Sequence, residues 1–313
     1  MKKLSVGELF TFSLFAAVSI TWGTTWLAMK IAVETIPPFF ATGLRFLFAS
    51  PFLIAIAIFY NKPLLFPKGS RLFQILVCVF YFAIPFSLMI YGEESVSSSM
   101  ASIIFSFMPV AIFITSYIMI NERNSTIQFI GVLISMFSLV SIITHEIGSI
   151  GPQSWHGVVA LVVAVTLHAI MYVQTKKRCL SLSVFTYNAI PCLGAGFLLT
   201  IFGYYFEGVN VNHFSEISII SVAYLGVVSG VFGIVAYFQL QKRVKPFHAS
   251  SVFFVFPVIA IFLEDFVTGK AVSIITLVLF SLLLAGIALV LIPVDSLIVR
   301  RHYISSPERD NRK

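Results

Sequence analysis

Charge is scarce in this sequence: of 313 residues only 11% are Asp, Glu, Lys or Arg, against 58% hydrophobic, and the mean hydropathy is +0.99. No single water-facing globule could bury that much apolar side chain, so a polytopic membrane protein is implied. Cysteine is scarce too. Cys78, Cys179 and Cys192 are dispersed and odd in number, which leaves no metal or redox motif and reads as small apolar filler plus one cytoplasmic thiol. Histidines stand at positions 145, 156, 168, 213, 248 and 302 without H-x-x-H spacing or a grouped nucleophile and carboxylate pair. That argues against an intramembrane enzyme such as a lipid-modifying transferase. No nucleotide-binding motif is present to power a pump, and no basic patch with interleaved aromatics points to nucleic acid. No cofactor and no metal site are expected.

What the chain has instead is apolar runs of membrane-spanning length. A hydrocarbon core about 30 Å thick takes about 20 helical residues per crossing. Ten segments fit, near 9–33, 39–60, 72–92, 98–120, 127–145, 157–175, 183–205, 217–239, 247–268 and 272–293. Lys2 and Lys3 before an apolar run resemble a signal peptide, but the run continues to Val33, too long for an h-region, so a retained first helix is expected. With both termini in the cytoplasm, 17 of the 20 basic residues lie on that side, while eight of the 13 acids, Glu34, Glu93, Glu94, Glu146, Glu207, Glu216, Glu264 and Asp265, lie at outer loops or helix ends. The positive-inside rule selects this orientation. The net charge of +7 follows from the asymmetry and favours anionic lipid headgroups as neighbours.

The chain also repeats itself. Ala101-Ser102, Phe105 and Pro109 recur as Ala249-Ser250, Phe253 and Pro257, each 148 positions later, in the fourth apolar segment of each half. The expected units are residues 9–145 and 157–293, followed by a polar, basic tail at 294–313. Five crossings is an odd number, so the second unit must be inserted upside down relative to the first.

The first two segments carry the densest pattern. Trp22, Trp26 and Lys30 repeat every four residues within Thr21-Trp22-Gly23-Thr24-Thr25-Trp26 and its continuation, so they share one helix face. The second segment opens after Pro37-Pro38 and holds Arg45-Phe46 about two turns in. With Ala101 to Pro109, Asn121-Glu122-Arg123, Gln128 and Gly131, then Tyr224-Leu225-Gly226, Gly230, Tyr237, Ala249-Ser250 and Pro257, these residues resemble the EamA-type members of the drug/metabolite transporter superfamily. The resemblance implies an all-α membrane protein of ten transmembrane helices in two inverted five-helix repeats. It further implies a bacterial inner-membrane carrier that moves small metabolites or amphipathic compounds. One departure stands out: where such proteins end the ninth helix with Gly-Glu, this chain has Gly269-Lys270 and earlier acids, Glu264-Asp265. That pair lies about one turn inside the membrane if the helix is full length, and at the interface if the span ends near Leu263.

Candidate path residues follow from position and type. Arg45 is too deep to expose to lipid without a cost of a few kcal/mol. Lys30 is near enough to a helix end to snorkel, and Glu34 is placed to pair with it. Ser98, Ser102 and Ser106 form a small polar stripe whose plainer reading is helix packing. His168 and Tyr172 share a face of the sixth segment. The substrate-path candidates are therefore Trp22, Thr25, Trp26, Lys30, Arg45, Ser102, Ser106, His168, Tyr172 and Tyr237, with Glu264 and Asp265 as coupling candidates. The fifth and tenth segments, nearly devoid of polar side chains, are expected outside the path. The expected function is export of an amino acid or related amphipathic metabolite by alternating access, with a drug or lipophilic-cation exporter as the alternative. Its partners would be that solute and the lipids, and the sequence leaves a homodimer open.

Overall fold

A computed structural model describes residues 6–120, 125–150, 154–178, 182–244, 249, 252–269 and 272–292. Lys2, Lys3, Asn121 to Arg123, Cys179, Lys245, Ser250, Lys270 and the tail at 294–313 lie outside the described residues. The described chain is helical throughout. α1 is Val6–Ala32 and α2 is Pro38–Phe59. α3 spans Lys68–Gly92 and α4 spans Ser98–Ile120. α5 is Thr126–Ile150, α6 Trp155–Arg178 and α7 Val184–Phe206. α8 runs from Glu216–Ala223 through Tyr224–Phe232 into Gly233–Arg243, and α9 is Val252–Thr268 and α10 Ile274–Leu291. Among the described residues nine helices are long and apolar enough to cross a membrane, and α9, with 17 residues described, completes the expected ten.

The inverted repeat is written into the packing. α1 leaves its own half to lie on α8 and α9, and α6 reciprocally lies on α3 and α4. α2 pairs with α7, and α5 pairs with α10, so the last helix of each half sits with its counterpart, apart from α1 and α6. Small residues make the α5/α10 crossing tight: a Cβ on Gly131 would stand 2.6 Å from the Gly286 carbonyl oxygen. Backbones approach that closely only where no side chain intervenes. Gln128 then ties the same pair together, donating from Nε2 to the Val290 and Ile292 carbonyl oxygens at 3.1 and 3.0 Å.

Two helices change winding at equivalent places. Cys78–Ala83 in α3 and Tyr224–Phe232 in α8 are π-helical, and Cys78 advanced by the repeat offset is Gly226. Regular helix resumes at Ile84-Pro85 and at Gly233. Wider π turns are uncommon and cluster at functional sites, because they re-aim side chains and loosen backbone bonds. α4 breaks at Phe107, whose N–H turns back to the Ile104 carbonyl oxygen, just before Pro109, which has no N–H to continue the ladder.

The bundle has two unlike ends. One carries Glu34, Glu93, Glu94, Glu207, Glu216, Glu264 and Asp265 and is called the acidic end below. The other, the terminal end, carries the start of α1, the close of α10 and the basic residues Lys62, Lys68, Arg71, Arg178, Lys242 and Arg243.

Candidate functional site

Between the halves an unbroken run of rings crosses the middle of the bundle. Trp22 of α1 lies 4.8 Å, centroid to centroid, from Tyr237 of α8 and 6.1 Å from Phe253 of α9. Four residues on, Trp26 packs on Phe105 of α4 at 5.0 Å and on Phe256 of α9 at 6.3 Å. Phe105 then meets His168 of α6 at 6.1 Å, and His168 meets Tyr81 and Phe86 of α3 at 5.0 and 5.1 Å. Phe105 and Phe253 are repeat equivalents, and each stands 6.1 Å from a ring on the swapped helix of the other half. His168 thus holds in α6 the place that Trp22 holds in α1.

Arg45 closes this run. Its guanidinium lies over the Phe86 ring at 4.9 Å, and the residue is 6% exposed. Its single hydrogen bond among the described residues goes from Nη1 to the Met29 sulfur at 3.6 Å. A thioether is a weak acceptor, and a guanidinium has five N–H donors to place. Among the described residues no carboxylate pairs with it, and the one ion pair there is His145 with Glu146, at 3.9 Å. The π segment of α8 lies directly behind, with Gly226 against the Arg45 carbonyl oxygen. That segment is pinned to α1 by two side-chain hydrogen bonds, Thr24 with the Tyr224 hydroxyl at 2.5 Å and Thr25 with the Ser229 hydroxyl at 2.6 Å.

At the acidic end hydrogen bonds lace the helices together, within the first half through Lys30 and between the halves through Glu264, Glu207 and Ser218. Lys30 Nζ donates to the carbonyl oxygens of Glu93 and Val96, at 2.5 and 3.2 Å. The expected pairing with Glu34 is not formed, because the α3–α4 connection offers two converging carbonyls that face Lys30 directly. Glu264 accepts from the backbone N–H groups of Ser98 and Ser99 at 3.3 and 2.6 Å, so a side chain of α9 caps the start of α4. Glu207 of α7 does the same for α2, accepting from Phe39 and Phe40, both at 2.9 Å. Each carboxylate satisfies N–H groups that a helix start leaves orphaned, and its charge suits the positive end of the helix dipole. Ser218 donates to the Ile31 carbonyl oxygen at 2.8 Å, tying α8 to α1.

The candidates named from sequence divide accordingly. Trp22, Trp26, His168, Tyr237 and Arg45 come together in the ring run, and Thr25 and Lys30 support it. Ser102 and Ser106 are fully buried and donate back to their own helix, to the Ser99 and Ile103 carbonyl oxygens. Tyr172 shares the His168 face yet is 48% exposed. The acidic pair separates: Glu264 is a cap, whereas Asp265 is exposed. Sequence reasoning passed over Met29, Tyr81, Phe86 and Phe256. It did single out Phe105 and Phe253 as repeated positions without giving them a role. It also read Glu93 as an ordinary loop acid, although Glu93 is fully buried.

Comparison with known proteins converges on one family. A model described as the EamA-like transporter family matches residues 9–144 and 155–292. Protein PagO of Salmonella typhimurium is 49% identical over 311 residues, 99% of each chain. An uncharacterized transporter of Buchnera aphidicola is 47% identical over 288 residues, 92% of this chain and 96% of its own. An uncharacterized inner membrane transporter of Escherichia coli, YedA, is 24% identical over 264 residues, 84% of each. One solved crystal structure shares the fold with a TM-score of 0.66 at 18% identity, over 95% of this chain and 99% of its own. Ten helices in two inverted halves, with family matches that span both, make this chain a multi-pass membrane protein that belongs to the EamA-like transporter family.

Proposed function

We propose that the protein is a secondary transporter of the bacterial inner membrane that exports an amino acid or a related amphipathic metabolite by alternating access of its halves. The observation that carries the solute class is Arg45, a buried guanidinium whose hydrogen-bond partner is a thioether sulfur. A buried cation without a carboxylate is costly, and a solute carboxylate would supply the bidentate acceptor that Met29 does not. The rings of Trp22, Trp26 and Tyr237 would then receive the apolar or ammonium part of the solute. The asymmetry of charge supports an acidic end outside and a terminal end in the cytoplasm, and the name of the YedA relative supports the inner membrane.

The test is counterflow in proteoliposomes, with labelled amino acids in one arm and a lipophilic cation in the other. Exchange of a carboxylate-bearing solute that is lost in Arg45→Leu supports this reading. Exchange of the cation alone, indifferent to Arg45→Leu, would transfer the protein to the drug or lipophilic-cation class, which the faces of Trp22, Tyr237 and Phe253 favour.

A further inference from the structure

Glu93 sits where a carboxylate is hardest to keep ionised. It follows the last residue of α3, in the connection to α4, and is fully buried. Its Oε1 has no hydrogen-bond partner among the described residues, and its Oε2 accepts from the Ser98 hydroxyl at 3.3 Å. Lys30 of α1 is beside it but directs its ammonium to the backbone carbonyls of Glu93 and Val96, not to the carboxyl. Glu264 of α9 accepts from the backbone N–H of the same Ser98 and is near enough for its charge to act on Glu93. α6 packs on the neighbouring Gly92 through Gly157 and Leu161, which bring no charge, and His156 beside them is exposed. Glu94, the next residue, lines a separate cleft of 430 Å³ with Glu34 and Glu207.

We infer that the Glu93 carboxyl is a proton-binding site that takes up a proton from the outer solution when the acidic end closes and returns it there when that end opens. An ionised carboxylate with a bare oxygen, buried and unpaired, would cost several kcal/mol, and the neutral acid avoids that cost. Burial is the largest effect and pushes Glu93 well above the ordinary 4.5, the nearby Lys30 pulls it back in part, and the charge of Glu264 adds to the rise. The hydrogen bonds that shut this end all involve the segment 93–99: Lys30 donates to the Glu93 and Val96 carbonyl oxygens, the Ser98 hydroxyl faces the Trp26 carbonyl oxygen, and Glu264 accepts from the Ser98 and Ser99 N–H groups. Opening it admits water to Glu93 and restores an ordinary carboxyl.

The sign follows. The closed state binds the proton more tightly, so closure is favoured below the ordinary carboxyl value and loses that support as pH rises through the raised value of the closed state. Within that window one linked proton changes the closed-to-open ratio by up to about tenfold per pH unit. Acidity outside therefore biases the carrier toward facing the cytoplasm. The gating half of this inference rests on the alternating-access reading; the protonation half does not.

Infrared difference spectroscopy of the purified full-length protein tests the protonation half. A protonated-carboxyl C=O band should persist at about pH 7 in the wild type, vanish in Glu93→Gln, shift in Glu93→Asp and survive in Asp265→Asn. Absence of any such band in the wild type overturns the inference without the help of a variant. For gating, Ser99→Cys is placed in the protein with its own cysteines, and labelling by a membrane-impermeant maleimide is compared with the parent between about pH 5.5 and about pH 8. After correction against a free thiol, labelling should rise with pH by roughly tenfold or more, and stay low and flat when Glu93→Gln is added. An equal rise with and without Glu93→Gln overturns the link between proton and gate. Failure of every solute in counterflow, with the band and its loss intact, would count against the proposed solute and not against Glu93.

Discussion

In the first half, α2 buries Arg45 in mid-bundle; in the second half, the corresponding turn of α7 reads Pro191-Cys192-Leu193. α1 presents Trp22 and Trp26, and α6 answers with His168 and Tyr172 at the same spacing. Near the close of each swapped helix stands a cation, yet the two are used differently. Lys30 bonds to the carbonyl oxygens of the α3–α4 connection, whereas Arg178 lies over the Phe73 ring at 5.4 Å and bonds to Gln174 of its own helix. Lys242 over Phe238 and Arg243 over Phe10 continue that pattern at the terminal end. Inversion of a repeat makes the two ends of a carrier equivalent in backbone, so a bias toward one conformation has to come from side chains. Here the acidic end is held by directional hydrogen bonds between halves, and cation–ring contacts are prominent at the terminal end. Such contacts are worth about 0.5–1 kcal/mol at exposed sites.

The largest effect should come from removing the one feature of α2 that α7 lacks. Arg45→Leu is expected to lower counterflow by on the order of 100-fold, since a charged hydrogen-bonding group contributes about 1.5–3 kcal/mol per bond made. Arg45→Lys keeps the charge but not the planar fork and should lose roughly tenfold. Leu193→Ala, in the corresponding turn of α7, should change transport by less than about threefold. Equal losses at Arg45 and Leu193 would mean that the halves contribute alike and would remove the asymmetry on which the solute site rests.

Next in size is a change that should respect the symmetry. Gly131 and Gly286 meet across α5 and α10, away from the ring run. Gly286→Leu should destabilise the protein by about 1–3 kcal/mol through overpacking, read as a lower midpoint of thermal unfolding in detergent. Counterflow per folded molecule should stay near wild type. A selective loss of transport without loss of stability would place α10 in the path.

The capping carboxylates divide the acidic pair. Glu264→Ala should cost about 0.5–2 kcal/mol, the range for losing a helix cap, and Asp265→Ala, exposed, should stay within about 0.5 kcal/mol. Unfolding midpoints compare the two directly. Equal effects would contradict the separation of Glu264 from its neighbour.

How much of this could be read without coordinates follows from the range of each interaction. Ten crossings and an inverted duplication are legible because hydropathy acts over windows of about 20 residues and because Ala101, Phe105 and Pro109 return in the second half. Arg45 is legible because a cation at that depth is rare in an apolar segment. Glu93 is not, since Glu-Glu-Ser before a helix reads as a solvated loop; its burial is imposed by α1, α6 and α9, far away in the chain. The likeness of His168 to Trp22 is hidden because their side chains differ and only their shared 6.1 Å relation to Phe105 and Phe253 exposes it. The π segments in α3 and α8 have no period of their own in the sequence, and Gly226 is the one residue that hints at the second.

The smallest expected effect concerns the pin between α1 and the π segment of α8. Thr25 already donates to the Thr21 carbonyl oxygen at 2.8 Å, so its contact with Ser229 at 2.6 Å needs the Ser229 hydroxyl as donor. Hydrogen bonds between transmembrane helices average about 0.6 kcal/mol in double-mutant cycles. Thr25→Val, Ser229→Ala and the pair together should therefore show a coupling of that order in unfolding free energy, and Val preserves the shape of Thr so that packing is little changed. Because α6 makes no equivalent hydroxyl pair with the π segment of α3 among the described residues, Thr166→Val in α6, which loses only a bond to the Val162 carbonyl oxygen of its own helix, should show no coupling to any residue of α3. A coupling between Thr25 and Ser229 above about 1.7 kcal/mol, the largest seen for such bonds, would make this pin a principal element of the closed conformation. A value indistinguishable from that of Thr166 would leave the difference between the halves to Arg45, Glu93 and Glu264.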